Sequence, residues 1–547
     1  MRQLLLTLTL CLLVFSMAGA AQKKVVAVLP LYNLSADEML VWLSEGIAGT
    51  LTDKLGNVSS IEVVKRGDMN DALWETKFNN MGIVDEENAA KVGRLLRADV
   101  AVVGEYRKSS DNIEIPVRFV DVDSIRTMKR IEVGGQYSGI FGYIERVAFD
   151  LLETLQVTPT AEERAKIERD PTSSLDAFEW YSKGYHQSKQ DMMSLDLIIK
   201  FLRRAIEYDS TYVDAYSLLG VALGSKGEVE EAVGAHKRAV SLDPGNPHAR
   251  AGLASAYYLK GLFDEAMKEY NKALQKLPED ADLHNNLGLV YMSKGEPDKA
   301  VRSFREAMRQ KPHHDEAHSN LAALYYMMDL FDNSVEEYEL AVKYKPRSPE
   351  AHLGLAHSYA KTGKIDAAIG EYKEALNKGA DEVQTRTGLG IAYASKGRLE
   401  EAIREWQEAV KLDPDYAEAH YNLGLAYKSK GLVDESIKEL EETLKLEPDR
   451  AGAHYHLGNA YLYKKMFDDA VSAYKEAIRL RPTAPDAHYN LAVTYEYKRD
   501  KEAALKQWET YIRVSAERFD QQQGLRTARE HMRRLLEEQQ EQQEGEE

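Results

Sequence analysis

Hydrophobic and polar positions follow two different rhythms along this chain. From Val213 to Arg518, apolar residues recur at helical spacing inside a 34-residue pattern. It is written nine times without a gap, from residues 213, 247, 281, 315, 349, 383, 417, 451 and 485. In the copy AEAHYNLGLAYKSKGLVDESIKELEETLKLEPDR, Leu423, Gly424, Tyr427, Gly431, Ser436, Leu440, Thr443 and Pro448 hold places 7, 8, 11, 15, 20, 24, 27 and 32. Place 11 is Tyr in every copy but the first, which has Leu223, and place 20 is always Ala or Ser. Two helices meeting as a hairpin explain these columns. Small residues at 8, 20 and 27 let the backbones approach, while Leu at 7 and Tyr at 11 fill the space between the helices. Gly at 15 ends the first helix in a left-handed turn, and Pro at 32 cannot continue the second. One hairpin cannot bury its own apolar face, so the copies are expected to stack around a shared core.

Residues 177–212 read as an irregular first copy, with Trp180 and Gly184 at places 4 and 8 and two extra residues between its helices, which makes ten repeats over 177–518. After them Leu525, Ala528, Met532, Leu535 and Leu536 form a stripe on a further helix, expected over 519–541 as the cap of the last repeat. From Glu537 the chain is Gln and Glu apart from one Gly, which predicts disorder or fraying and leaves 542–547 as an acidic tail. The whole pattern closely resembles the tetratricopeptide repeat over more than half of the chain. The resemblance implies a mostly α fold, a right-handed solenoid of about ten helical hairpins. Its concave groove, lined by places 2, 5, 6, 9, 12 and 13 of the first helices, would take peptides and partner proteins.

Residues 21–157 do not repeat. Lys24–Pro30 reads as a buried strand, and Leu40, Leu43, Ile47, Leu51 and Leu55 mark one face of a helix. Further strands are predicted over 61–64, 99–106, 113–122 and 127–133, with helices over 86–96 and 139–155. This is a small α+β domain whose sheet is covered by helices. Its run VVAVLPLYNLSADEMLVWLSEGIAGTLTDKL, then IEVVKRGDMNDAL, with Ala98-Asp99, Gly104, Arg118, Val120 and Asp121 beyond, resembles the N-terminal domain of TolB and the periplasmic domain of curli-secretion lipoproteins. It lacks the lipid-anchoring Cys and the long amphipathic hairpin of a membrane barrel, so the resemblance implies an envelope interaction domain and no pore. A linker is expected over 158–176, with a short charged helix opened by the capping box Thr160 and Glu163.

Arg2, the apolar run Leu4–Val14 and Ala18-Gly19-Ala20 form a secretory leader, expected to be cleaved after about residue 20; a retained membrane anchor is the competing reading. Cys11 is the single cysteine, so the mature chain would form no disulfide, which points to an exported, periplasmic bacterial protein. The net charge of −18 becomes one unit more negative once Arg2 is lost, and nucleic acid is a poor partner for that field. No membrane span is expected after cleavage.

Catalytic and cofactor signals are missing from the sequence. Six histidines, His284, His318, His352, His420, His454 and His488, hold place 4, where each is expected to pack inside its own hairpin. A metal site would need them to converge, and they stand a repeat apart. The denser group His313, His314, Asp315, Glu316 and His318 reads as a solvated loop between repeats. Gly388 and Gly390 follow no strand, and neither a phosphate-binding loop nor a nucleophile elbow occurs. No enzyme, metal or cofactor is expected.

Binding remains. Tyr421, Tyr455 and Tyr489 share place 5, and Tyr258 and Tyr326 at place 12 extend an aromatic surface. Asn286, Asn320, Asn422 and Asn490 share place 6, resembling the asparagine ladder of the repeat superhelix in O-GlcNAc transferase. That ladder is interrupted here by Leu218, Gly252, Gly354, Gly388 and His456, and an ordinary packing column of bacterial repeats explains it equally well. Place 5 carries no Lys, so the carboxylate clamp of chaperone-binding repeats is absent. The reading is an exported scaffold that holds partner proteins or extended peptides during envelope assembly or export. A sensor subunit relaying a signal from the N-terminal domain, and a substrate-presenting accessory of an envelope enzyme, are the alternatives.

Overall fold

The computed structural model describes residues 23–35, 37–65, 69, 72, 73, 85–189, 194–516 and 522–546. The leader, Cys11, the junction inside the first repeat and the start of the capping segment lie outside them. The chain divides into two compact units, residues 1–294 and 295–547.

The first unit opens with β1 (Lys24–Val28), β2 (Tyr32–Asn33), α1 (Trp42–Gly56), β3 (Ile61–Val63), α2 (Glu86–Leu95), β4 (Val100–Ser109), β5 (Asn112–Asp121), β6 (Arg126–Gln136) and α3 (Ile140–Thr154). The sheet order is β3-β1-β4-β5-β6, with β2 beside β4. β1 runs parallel to β3 and β4, in register Val26 with Val63 and Val100, and β4, β5 and β6 form an antiparallel meander. Because side chains alternate along a strand, Val26 and Val28 face α1 and α3, whereas Ala27 and Leu29 face α2. Gly104 is needed because a Cβ there would lie 2.7 Å from the Pro116 carbonyl oxygen of the paired strand. Asp99 accepts a hydrogen bond from the Val25 amide (2.7 Å), and Asp121 closes the next turn by accepting from the Ser124 amide and hydroxyl.

The linker is packed down rather than extended. Its helix α4 (Ala161–Glu168) starts with the capping box Thr160 and Glu163, and Glu163 also accepts from the Ser59 amide (2.8 Å) and hydroxyl (2.7 Å). Those donors hold its carboxyl down at about 2. Lys54, nearly buried, donates to the Ile167 and Arg169 carbonyls (3.0 Å for the latter), and burial lowers its pKa against the pull of Asp170 and Glu145. α1 then lies on α5 (Leu175–Gln187), the first repeat helix, over Gly46, where a Cβ would stand 2.5 Å from Ser182 Oγ. Phe178 and Ser182, places 2 and 6 of that repeat, are thereby covered by the N-terminal domain.

In both units the repeats are helical hairpins, as the columns predict. Place 20 is fully buried in each copy, and where it is Ser the hydroxyl donates to the place 8 carbonyl, Ser334 to Ala322 (2.8 Å) and Ser436 to Gly424 (2.7 Å). The place 11 tyrosines, expected to fill their own hairpin, also reach back to place 25 of the preceding repeat. Tyr359 donates to Glu339 (2.7 Å), Tyr461 donates to Glu441 (2.6 Å), and Tyr427 accepts from Gln407 (2.9 Å).

The place 4 histidines likewise do more than pack inside their own hairpins. His318, His352 and His420 each put Nδ1 against a glutamate of their own second helix (2.6 to 2.7 Å) and Nε2 on the carbonyl of the preceding repeat's proline (3.0 to 3.2 Å). Arg250 makes the same two contacts, to Glu269 and Pro244. A further tie joins Lys at place 14 to the acid at place 18 one repeat back, as in Lys260–Glu230, Lys396–Asp366 and Lys430–Glu400. Exposed pairs of this kind contribute about 0 to 1 kcal/mol each.

At the far end of the second unit, Leu525, Ala528 and Leu535 of the final helix (Gln522–Glu546) pack on Trp508 and Tyr511, while Leu536 of the predicted stripe is exposed. Glu496 fixes that helix by accepting from Trp508 Nε1 (2.7 Å) and meeting His531 and Arg534. The helix continues to Glu546, past the point where composition predicts fraying, because Glu and Gln are good helix formers once a preceding stretch is anchored.

Place 15 is left-handed throughout, with φ of 72 to 87° at Gly227, Gly261, Gly295, Gly363, Gly397 and Gly431. Asp329, Lys465 and Arg499 occupy the same conformation with a Cβ, at φ of 58 to 61°. Lys465→Gly and Arg499→Gly are therefore expected to stabilise the second unit by about 0.5 to 1 kcal/mol each, and Gly431→Ala to destabilise it by about 1 kcal/mol, read as shifts of the denaturant midpoint.

Candidate partner-binding surface

The first helices of the repeats bury places 3, 7, 8 and 10 and leave 2, 5, 6, 9, 12 and 13 partly or fully open, as at 315–327, 417–429 and 485–497. This open face is where the sequence places the candidate residues, and the structure gives each a definite neighbour.

Tyr421, Tyr455 and Tyr489 are half-buried rather than free. The Arg450 guanidinium lies over the Tyr421 ring at 3.8 Å, and a Cβ at Gly452 would stand 2.9 Å from the Tyr421 hydroxyl, so that glycine lets the ring cross to the next repeat. Tyr455 lies between His456 (5.1 Å) and Tyr474 (6.2 Å), and Tyr489 meets Trp508 edge-on at 4.9 Å. Burial raises the Tyr421 and Tyr489 hydroxyls above their usual values, against the Arg450 charge in the first case and with Glu496 in the second. Tyr258 packs on Phe263 and shares a hydrogen bond with Ser293, and Tyr326 packs on Phe331.

The place 6 asparagines do not form one uniform row. Asn422 donates back to the Glu418 carbonyl (2.9 Å) in its own helix, Asn490 donates to Asn459 (2.7 Å) and Tyr455 (3.3 Å) of the preceding repeat, and Asn286 accepts from Asn285 (3.5 Å). Asn320 sits on the same face, half-buried.

The interruptions have a physical cause in place 24 of the preceding repeat. Tyr270 and Tyr474 bond to place 9 of their own first helix, at Ser255 and Asn459 (2.7 Å each), and the next repeat has room for Asn286 and Asn490. Tyr338 and Tyr372 face Ala323 and His357 at that place and lie instead across the next repeat, where a Cβ at Gly354 or Gly388 would be 2.2 or 2.7 Å from the ring. Burial, with Tyr326 nearby, pushes the Tyr338 hydroxyl up to about 12. His236 fills the same role in the first unit between Gly220 and Gly252, with Nδ1 buried and without a partner among the described residues. Burial pushes it down to about 4.

Large apolar side chains exposed on this face were not singled out by sequence. Met327 (69 % exposed), Tyr463 (76 %) and Tyr497 (64 %) hold place 13, with Leu259 in the first unit, and Ile391 (44 %) and Val221 hold place 9. Tyr497 stacks on Phe467 of the preceding repeat (5.7 Å). Their signal was available: they are apolar residues in columns that the hairpin pattern leaves variable. The histidine-rich corner is structural, since His314 caps a helix by accepting from the Ala317 amide and His313 packs on Tyr344. Among the described residues no group of three or more His, Cys, Asp or Glu could hold a metal, and no helix is long and apolar enough to cross a membrane.

Two outcomes are expected. Gly354→Asn, which restores the asparagine column, forces the Tyr338 ring aside and destabilises the second unit by about 1 to 3 kcal/mol in denaturant titrations. For His236 the folded pKa lies below the unfolded one. The unfolded chain alone therefore gains the proton as pH falls from about 6.5 to about 4, and stability drops by up to about 3 kcal/mol across that window. His236→Phe, which keeps the ring, removes that slope from the melting temperature.

Models of the tetratricopeptide repeat family match residues 254–295, 281–314, 323–383, 390–431, 426–465 and 458–498. Several solved structures are similar in part. YrrB, titled as a TPR protein with an unusual peptide-binding site, is 22% identical over 34% of this chain and 95% of its own, with a TM-score of 0.30. For PilF of Pseudomonas aeruginosa the values are 22%, 39%, 96% and 0.35, and for MamA 26%, 30%, 97% and 0.29. No curated protein matches the chain in sequence. The nine-fold column pattern, the stacked hairpins and the family-model matches agree: the chain carries tetratricopeptide repeats.

Proposed function

We propose that this protein is an exported scaffold that holds partner proteins or extended peptides on the open face of its repeats, in bacterial envelope assembly or export. Tetratricopeptide repeats make a scaffold suited to such binding. The observation that carries the reading is the set of large apolar side chains left open on that face, Met327, Ile391, Tyr463 and Tyr497, the last of them stacked on Phe467 of the preceding repeat and still 64 % exposed. Half-buried tyrosines and amides between them add hydrogen-bonding groups on a rigid base, the composition that suits protein contact. Export rests on the leader pattern before residue 21 and on the lack of cysteine beyond it. The N-terminal domain, similar in its motifs to TolB and curli-secretion lipoproteins, would dock to another envelope component. It packs on the first repeat at Gly46 and holds the linker through Lys54, which supports a fixed rather than a swinging arrangement.

A photocrosslinking residue placed at Met327 or Ile391 should capture a partner from envelope extract, while one at Arg404 or Lys438, exposed on second helices, should not. Equal capture from both sets, or capture from the second helices alone, would overturn the assignment. The mature protein is expected to begin near Ala21; a chain starting at Met1 in the cytosolic fraction would refute export.

A further inference from the structure

Stacked repeats touch only their neighbours, so the curvature of a solenoid is a sum of small angles that can each change. The first unit departs from that pattern, because its N-terminal domain is tied to the array at two places that stand three hairpins apart. The near tie is buried. At Gly46 helix α1 lies on α5, Phe178 of the first repeat meets Phe141 edge-on at 5.1 Å, and the Thr172 hydroxyl at the end of the linker donates to the buried Asp209 carboxylate (2.5 Å). Arg169 of the linker also stands 3.4 Å from Asp243, just before the 247 hairpin.

The far tie is electrostatic and open to solvent. Lys65, just beyond β3, pairs with Asp282 and stands 3.4 Å from Asp280, while Lys23, just before β1, stands 3.5 Å from Glu279. Asp280 caps the first helix of the 281 hairpin by accepting from the Leu283 amide (3.0 Å), which holds the acidic corner in place. Glu279, Asp280 and Asp282 are three acids within four residues, and no other junction between the 34-residue repeats carries three. That junction is the one the two lysines reach. The compact unit holding the N-terminal domain ends at Lys294, directly after the helix Ala281–Ser293 that this corner begins.

We propose that the N-terminal domain is a brace with a salt-labile latch, which sets the curvature of the first four hairpins whatever partner the repeats hold. The domain stays seated on the first repeat, and Lys65 and Lys23 close the latch on the 281 corner. Both lysines are half exposed, so each pair adds little and is screened by salt, whereas the packing at Gly46 and Phe178 is neither. With the latch closed, the 213 and 247 hairpins keep one pitch, and Val221 and Leu259, 54 and 56 % exposed on their first helices, keep one spacing. With it open, these hairpins flex away from the domain.

The test is a spin-label distance measurement on the full mature chain, which carries no cysteine of its own once the leader with Cys11 is removed. Labels at Lys200→Cys and Lys268→Cys, both exposed on second helices, span the 177 to 247 hairpins, and a control pair at Arg404→Cys and Ser472→Cys spans the same number of hairpins in the second unit. In about 50 mM NaCl the first pair is expected to give one narrow distance distribution, and Lys65→Glu to widen it about twofold or more. Raising NaCl to about 1 M should widen the unsubstituted protein in the same way and add little to the variant. Combining Lys65→Glu with Asp282→Lys should restore the narrow width, and the control pair should not respond to Lys65→Glu. A distribution that stays narrow in Lys65→Glu and in high salt, or that is already broad in the unsubstituted protein at low salt, overturns the brace. Widening that the charge swap fails to reverse, or that the control pair shares, reports general loosening and overturns the latch.

Discussion

Each second helix carries one large side chain at place 24, and that side chain must be housed between its own first helix and the next one. Tyr474, Trp508 and Phe304 are fully buried there, and the size of the neighbours at places 6 and 8 follows from them. Gly458 and Gly390 at place 8 lie under Tyr474 and Trp406, and Gly354 and Gly388 at place 6 lie under Tyr338 and Tyr372. Burying such rings is worth several kcal/mol per repeat, far more than the exposed ion pairs along the edge. The stacking is therefore decided by ring packing, with the proline-carbonyl contacts of His318, His352, His420 and Arg250 fixing the angle at which one hairpin meets the next.

Because the stacking uses places 3, 7, 8, 10, 20, 24 and 27, much of the other side of each first helix can vary, except where a ring lies across place 6, as Tyr338 does at Gly354. That freedom makes a binding surface affordable, and it explains why the face is chemically mixed. Some of its groups are taken up in stabilising neighbours, as Asn490 is with Asn459 and Tyr489 with Trp508. Others, such as Ile391 and Met327, are exposed. At the start of the array, Phe178 and Ser182 on this face are covered by the N-terminal domain, so the first repeat is closed to partners by the chain itself.

The hairpins were legible in sequence because each column answers to a local rule: a left-handed Gly431, a small Ser436, a helix-ending Pro448. The strands of the N-terminal domain were legible for the same reason, from alternation at Val25 to Leu29. What sequence could not show was contact between repeats. Gly354 reads as a gap in an asparagine column until the Tyr338 ring of the preceding repeat is seen lying across it. Lys54 reads as an ordinary surface lysine on an amphipathic helix, and its two carbonyl partners lie more than a hundred residues away. The candidate tyrosines lie on the open face, and the half-burial of Tyr421 against the next repeat was not legible because it depends on Gly452 and Arg450 and not on the tyrosine itself.

The central claim is that the open face of the first helices is where partners bind. Methyl NMR of the protein labelled at isoleucine and methionine, before and after addition of a captured partner segment, tests it most directly. Ile391 and Met327 are predicted to shift, while Ile369 and Ile403, buried between helices, hold their positions. Shifts confined to methyls on second helices, with Ile391 and Met327 unmoved, would contradict the account.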